Sequence, residues 1–180
     1  MPIGLIIIII ILAIIIIWYI SAMNGIRHYD IKVQEAASGI DVALTKRYDV
    51  LTKQLEVVKQ YTTYESKTLF ESIRIRSRMT MAERQEASSK MDEVGQQFKL
   101  VAEAYPELKS SNNYLQLQKS INDVEEHLQA ARRAYNANVS AYNTRIIMFP
   151  ASIVAGMIGA KAKEMFVAEE YKRQDVEMKF

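Results

Sequence analysis

Apolar and polar residues are distributed along this chain in two distinct ways. Residues 3–20 carry no charge and are mostly Ile, whereas from residue 26 onward apolar residues recur every three or four positions between charged ones. A helix over residues 3–20 would span about 27 Å, close to the roughly 30 Å hydrocarbon core of a bilayer. The first pattern therefore predicts a membrane-spanning helix, and the second predicts amphipathic helices behind it.

The composition of the span favours a retained membrane anchor. A cleaved signal peptide needs a basic N-terminal flank and a small-residue cleavage site, which Ile20-Ser21-Ala22 resembles only weakly. A lipoprotein anchor is excluded because the chain has no Cys. Aromatic rings at one end are typical of the headgroup boundary. The predicted anchor residues are Ile3, Leu12, Trp18, Tyr19 and Ile20.

The basic residues near the span predict its orientation. None precedes the apolar run, while Arg27 and Lys32 follow it closely. Lys and Arg accumulate on the cytoplasmic side of single spans. The sequence therefore predicts a cell-membrane protein with a short N-terminus outside and its helical domain on the cytoplasmic side.

Four amphipathic helices are predicted after the span. Helix 1 covers about residues 26–79, with one apolar stripe that a shorter helix 2 covers only in part. Helix 2 begins within residues 80–90, where Thr80 with Glu83 and Ser89 with Asp92 have capping spacing, and it stops at Pro106. Helix 3 runs from residue 114 to 149, with steps that approach the heptad repeat of coiled coils. Helix 4 covers about residues 151–171, where Gly156 and Gly159 either allow close packing or interrupt the helix.

These elements predict an all-α fold. A single transmembrane helix precedes an up-down-up-down four-helix bundle whose first helix is long, so that helix 2 returns beside helix 1. The predicted domains are an anchor over residues 1–22, a bundle over 23–172 and a tail over 173–180. Because helix 1 outruns helix 2, part of its stripe is expected to meet helix 3, helix 4 or another subunit.

Charge and residue usage narrow the function. The net charge is only +2, which argues against nucleic-acid binding. With no Cys and two distant His, a thiolate or His-rich metal site is not available. No nucleophile setting is recognisable, so the sequence predicts a protein that is not an enzyme and has no cofactor and no small-molecule substrate.

Several short strings, taken in order, closely resemble the bacterial LemA family. The strings include residues 40–49 (IDVALTKRYD), 101–109 (VAEAYPELK), 131–136 (ARRAYN), Tyr142-Asn143 and Phe149-Pro150. The resemblance covers about residues 24–170. One departure is Leu51-Thr52-Lys53-Gln54-Leu55, which lacks the family's usual Pro and favours an unkinked helix 1.

The resemblance implies a four-helix bundle on one N-terminal span in the bacterial envelope, with no established enzymatic activity. Some relatives act in forming organelle membranes, and others accompany membrane proteases. The family-signature residues, interpreted as mainly structural, are Asp41, Arg47, Tyr48, Asp49, Tyr105, Pro106, Tyr135, Asn136, Tyr142, Asn143, Phe149 and Pro150.

Two polar groups invite a functional interpretation. Arg47-Tyr48-Asp49 interrupts the stripe of helix 1, and the pairs Tyr135-Asn136 and Tyr142-Asn143 stand seven residues apart on one face of helix 3. They form either a binding pocket between helices 1 and 3 or, as we favour, a buried device that fixes helix register through an Arg–Asp pair and Asn amides.

The sequence therefore predicts a membrane-anchored, non-enzymatic scaffold. Its expected partners are the lipid bilayer, further copies of itself as a homo-oligomer, or another membrane protein. The alternative is a regulatory or sensor subunit of a membrane enzyme such as a protease.

Overall fold

The structure, a computed structural model, describes residues 2–61, 73, 75 and 79–167. It contains five described helices and no strand within these residues, which confirms the all-α class. The helices are α1 (Pro2–Lys59), α2 (Met81–Ala104), α3 (Pro106–Ser110), α4 (Asn112–Ile147) and α5 (Ala151–Met157). The predicted tail over residues 173–180 lies outside the described residues.

Helix α1 joins the apolar run to the amphipathic stripe without a break. It continues through Met23-Asn24-Gly25, which separates the span from the predicted start of helix 1, and through the segment that lacks the family's Pro. Side chains from Ile3 to Ile17 are exposed, and an 18-residue window at this end of the helix has a mean hydropathy of 3.4. By length and composition, α1 is the one helix in the described part of the chain that is able to cross a membrane.

The predicted end of helix 1 is wrong. α1 ends at Lys59 rather than near residue 79, and the described residues 73, 75 and 79 are not helical. The last turn tightens through bonds from the Gln60 and Tyr61 amides to the Val57 and Val58 carbonyls, each three residues back. No Gly or Pro occurs at this end. Because the apolar stripe continues past it in the sequence, the periodicity did not indicate where the helix ends.

Helix α2 begins at the first of the two predicted caps. The Thr80 hydroxyl accepts from the Glu83 amide, while the Glu83 carboxylate accepts from the Thr80 amide at 2.7 Å. This reciprocal capping box satisfies two amides that the first helical turn would otherwise leave unpaired. Helix α2 therefore starts at Met81, earlier than the second cap would place it.

We expect Thr80→Ala to lower the free energy of unfolding by about 1 kcal/mol, because the capping acceptor is lost. Thr45→Ala is the matched control, since that exposed hydroxyl bonds only to a carbonyl of its own helix. Thermal unfolding followed by circular dichroism measures both. Equal effects of the two substitutions would contradict the capping assignment.

Helix 4 is also shorter than predicted. α5 ends at Met157, and residues 160–167 are not helical. Gly159 adopts a φ of 67°, and the Ala160 amide bonds to the Ala155 carbonyl at 2.9 Å. This is a Schellman ending, which requires a left-handed residue that Gly supplies without steric cost. Of the two predicted roles for the glycines, interruption of the helix is the one that Gly159 fulfils.

The chain divides into two compact units. The anchor unit combines α1 up to Ala36 with Ala134–Met165, and the bundle unit combines Ala37–Arg133 with Phe166 and Val167. Each unit is built from part of α1 and part of α4, because both helices extend through the two units.

Contacts inside the bundle unit give the helix directions. Asp41 meets Arg84 and Arg47 meets Asp92, so sequence numbers rise together and α2 runs parallel to α1. Arg47 also meets Glu125, and Arg132 meets Ser88, so α4 runs antiparallel to both. The expectation that helix 2 returns beside helix 1 is therefore wrong. Because α1 ends at Lys59 and α2 begins at Met81, residues 60–80 connect, in the sequence, two helices that run parallel.

The apolar stripe of α1 is covered within the chain. Its largest members are almost fully buried. The buried positions on α1 are Ala22, Ile26, Val33, Ile40, Ala43, Leu44, Arg47, Leu51, Gln54, Leu55 and Val58. Of the three partners expected for this stripe, helix 3 of the prediction, here α4, is one that meets α1, at Arg47 with Glu125 and at Gly25 with Arg145.

Candidate functional site

A buried arginine on α1 links three helices of the bundle unit. The Arg47 side chain is only 8 % exposed, and its Nη2 lies 2.5 Å from both Asp92 Oδ1 on α2 and Glu125 Oε1 on α4. Its Nη1 donates to the Ser88 carbonyl at 3.1 Å. A guanidinium suits this position because its fixed fork of donors can serve several acceptors at once.

Two further arginines extend this ion network. Arg84 donates from Nε and Nη2 to the two carboxylate oxygens of Asp41, each at 2.7 Å. Arg132 donates to the Ser88 hydroxyl and stacks on the Phe166 ring, 4.5 Å from its centre. Ser88 is buried and lies between Arg47 and Arg132, so it joins helices α1, α2 and α4 through one side chain.

The predicted Arg–Asp pair forms with a different partner. Arg47 pairs with Asp92 and Glu125, while Asp49 on its own helix is exposed and Tyr48 is half-buried. Sequence reasoning missed Asp92 and Glu125 as partners, because only the packing of α2 and α4 brings them to α1. The signal that could have identified Asp92 and Glu125 is their position on the faces of α2 and α4 that point toward the stripe of α1.

A polar cavity of about 230 Å³ opens beside Arg47. Gln54 forms part of its wall and is completely buried. The Gln54 amide approaches the Tyr114 hydroxyl, yet neither its nitrogen nor its oxygen makes a hydrogen bond of normal geometry. The remaining polar lining comes from α2 and α4, namely Asp92, Gln96, Lys99, Gln118, Asn122 and Glu125.

Tyr114 lies at the beginning of α4 with its side chain buried. Burial raises the pKa of Tyr114 because the phenolate is poorly solvated there. The Gln118 and Gln54 amides oppose the rise, and the negative charge of Glu103 adds to it.

We expect the free energy of unfolding to fall as pH rises above about 10, the pKa of Tyr in an unfolded chain. Above that pH the folded state, with its raised Tyr114 pKa, holds more protons than the unfolded state, so stability declines. Tyr114→Phe should make this decline shallower, as measured by denaturant titrations at several alkaline pH values. A Tyr114→Phe slope that equals the wild-type slope would contradict the burial effect.

The Tyr-Asn pairs serve a different purpose in the anchor unit. The Asn143 amide nitrogen donates to the Lys163 carbonyl at 2.9 Å, and the Lys163 backbone amide donates to the Asn143 oxygen at 2.8 Å. The Tyr135 hydroxyl donates to the Glu164 carbonyl at 2.9 Å. These side chains therefore hold the non-helical segment 160–165, whose backbone groups need partners.

Lys163 is held at its backbone by Asn143 and at its side-chain ammonium by two further residues. Its Nζ lies 2.6 Å from Asp30 Oδ1 on α1 and 5.2 Å from the centre of the Tyr142 ring. Tyr135, Tyr142 and Asn143 belong to the anchor unit, and Arg47 belongs to the bundle unit. Asn136 is half-buried.

The other predicted residues occupy the ends of helices. Tyr105 is 44 % exposed between α2 and α3, and Pro106 opens α3. Phe149 is 82 % exposed in the turn before α5, and its peptide bond to Pro150 is cis. Among the described residues, no group of three His, Asp or Glu side chains is arranged to hold a metal ion.

These features define an all-α protein in which an N-terminal apolar helix of membrane-spanning length leads into a helical bundle. The chain belongs to the LemA family, whose model matches residues 36–180.

Individual relatives agree with this membership. Protein LemA of Metamycoplasma hominis is 28% identical over 164 residues, which cover 88% of this chain and 75% of that protein. Magnetosome protein MamQ of Magnetospirillum gryphiswaldense is 30% identical over 66 residues, or 37% of this chain and 24% of the relative. Magnetosome protein MamQ 2 of Paramagnetospirillum magneticum is 33% identical over a stretch of the same length.

Proposed function

We propose that this protein is a membrane-anchored, non-enzymatic scaffold that acts by self-association or by docking a partner at the membrane. The observation that carries the proposal is α1, which begins in an exposed apolar run and continues unbroken into a buried stripe. Such a helix holds a bundle at a membrane through one rigid element. The short N-terminus lies outside, and the bundle lies on the cytoplasmic side, as the Lys and Arg distribution indicates.

Binding is favoured over catalysis because the central charged side chains of the candidate site are paired with one another. Arg47, Asp92 and Glu125 form an internal ion pair network, which is an arrangement that positions helices. The names of the two magnetosome relatives associate those proteins with a membrane organelle. This association agrees with a role for the present chain at a membrane surface.

A docking surface is available at one end of the bundle unit. Leu100 and Tyr105 near the end of α2, and Leu115 near the start of α4, expose between 44 % and 66 % of their surface. Apolar side chains exposed together are typical of protein contact sites. We assign this end patch, Leu100, Tyr105 and Leu115, to the partner or to a second copy.

The test is the mass of the full-length protein in lipid nanodiscs or mild detergent, over a wide range of concentrations. A discrete oligomer that Leu100→Glu with Leu115→Glu dissociates supports a self-associating scaffold. A matched control replaces exposed Ile31 of α1 with Glu and should leave the oligomer intact. A monomer at all concentrations, with no co-purifying protein, would count against the proposal.

A second candidate, a regulatory or sensor subunit of a membrane enzyme such as a protease, is favoured by the polar cavity. A buried amide without a well-formed hydrogen bond, as at Gln54, is costly and is commonly retained for a reason other than stability. Gln54→Leu should then change membrane proteolysis in cells while the bundle stays at least as stable. A variant that altered only stability would remove the support for this role.

A further inference from the structure

The α4–α5 connection carries an uncharged, apolar surface. No charged residue occurs between Arg145 and Lys161, and Ser152 is the only hydroxyl-bearing residue in that interval. We call residues 147–158 the apolar hairpin. An uncharged run of about this length, too short to span a bilayer, is typical of buried core or interfacial segments. The structure distinguishes these two possibilities.

The apolar hairpin is apolar on both its inner and its outer surface. On the inner side Ala151, Val154 and Ala155 are buried. The outer side chains are strongly exposed, at 73 % for Ile147, 60 % for Met148, 82 % for Phe149, 52 % for Ile153 and 69 % for Met157. A helix that is apolar all round belongs in a core or in lipid, and these outer side chains are not in the core.

The apolar hairpin lies beside the end of the membrane span. Within the anchor unit α4 runs antiparallel to α1, because Tyr142 shares a cavity with Ile26 and Asp30, while Arg145 reaches Gly25. The Arg145 guanidinium would come within 3.2 Å of a Cβ at Gly25, so the two helices are in close contact there. Continuing along α4 past Arg145 therefore leads toward the span.

The distance along α1 places the apolar hairpin at the depth of the membrane interface. Gly25 lies about 10 Å beyond Trp18 along the helix axis, at ~1.5 Å per residue. Trp18 and Tyr19 mark the headgroup boundary of the span. Ala22, between Tyr19 and Gly25, is buried by the protein although its neighbours in the span are exposed.

Charges at the base of the apolar hairpin fit the same location. Arg27, Arg145 and Lys161 are exposed, and Arg27 and Lys161 line an open cavity of about 450 Å³ together with Ile26 and Ile158. Cations at the edge of an apolar surface are typical of segments that lie in an anionic lipid interface.

We propose that the apolar hairpin, residues 147–158, inserts into the cytoplasmic lipid interface as a second membrane contact beside the span. The proposal rests on the proposed function in that α1 anchors the chain. With Ile147, Phe149 and Met157 in the acyl boundary, the anchor unit is held to the bilayer at two points. Rotation of the bundle about the axis of α1 is then restricted.

The test uses the absence of Cys in the chain to place one fluorescent label at a time. Single-Cys variants Phe149→Cys, Ile153→Cys and Met157→Cys are labelled with an environment-sensitive dye in the full-length protein. The protein is reconstituted in nanodiscs of mixed zwitterionic and anionic lipid. Ile10→Cys in the span and Val42→Cys in the bundle unit, both exposed in the folded chain, are the lipid and water references.

We expect labels on the apolar hairpin to lose most of the quenching by aqueous iodide that the Val42 label shows. They should also be quenched by a nitroxide placed near the lipid headgroups, and adding Phe149→Asp with Met157→Asp should restore iodide quenching of the Ile153 label. Apolar-hairpin labels that behave like the Val42 label, while the Ile10 label reports lipid, overturn the hairpin contact and leave the anchor standing. If the Ile10 label also reports water, both proposals fail.

Discussion

Phe98→Ala is expected to lower the free energy of unfolding by about 3–5 kcal/mol, because it leaves a cavity in a close-packed core. Phe98 lies in the middle of α2 and has no exposed surface. Because the ring is fully enclosed, its removal leaves a void that the surrounding side chains fill only in part. Thermal or denaturant unfolding of the full-length protein in mild detergent, followed by circular dichroism, measures the loss.

Val42→Ala is the control for this prediction. It removes apolar atoms from an α1 position that is 58 % exposed, so it should change the free energy of unfolding by less than about 0.5 kcal/mol. Similar losses at the two positions would mean that α2 does not pack into the core as described.

Arg47→Met is expected to cost about 3 kcal/mol of unfolding free energy, at the lower end of the range for breaking a buried ion pair. The substitution keeps the apolar stem but removes the cation that lies between Asp92 and Glu125. Glu125 retains 33 % exposure, so water offsets part of the penalty. The same unfolding measurement at neutral pH reports the effect.

Two companion variants separate this cause from simple loss of packing. Asp49→Asn, at an exposed neighbouring position, should have almost no effect. Adding Asp92→Leu and Glu125→Leu to Arg47→Met should recover most of the loss, because no uncompensated charge remains. A triple variant that is less stable than Arg47→Met alone would show that the carboxylates stabilise the fold independently of Arg47.

The periodicity of α1 predicted which residues are buried better than it predicted where the helix ends. Ile26, Val33, Ile40, Leu44 and Leu51 are buried as the stripe requires, because a stripe at helical spacing depends only on local geometry. The end at Lys59 depends on tertiary packing and carries no Gly or Pro signal. The direction of α2 could not be predicted for the same reason, since it follows from where the chain leaves α1.

The polar residues were recognised more reliably than their partners. Arg47, Tyr135, Tyr142 and Asn143 do form specific contacts, as polar groups on a buried stripe must. Their partners lie elsewhere in the sequence, on α2, α4 or the segment after α5, and a single sequence does not encode which of these elements packs nearby. Gln54 was overlooked because an isolated amide at a stripe position resembles a surface residue.

The pairing between Asn143 and Lys163 has a consequence for how this chain can vary. One side of the pairing is a side chain that must both donate and accept, so Asp, Leu or Ala at position 143 breaks at least one bond. The other side is backbone, so this pairing tolerates any residue except Pro at position 163. For this pairing alone, substitution at position 143 should therefore be far less tolerated than substitution at position 163, where the side chain serves the separate contact with Asp30. A covariation search would overlook this contact, because only one of its two partners is encoded by residue identity.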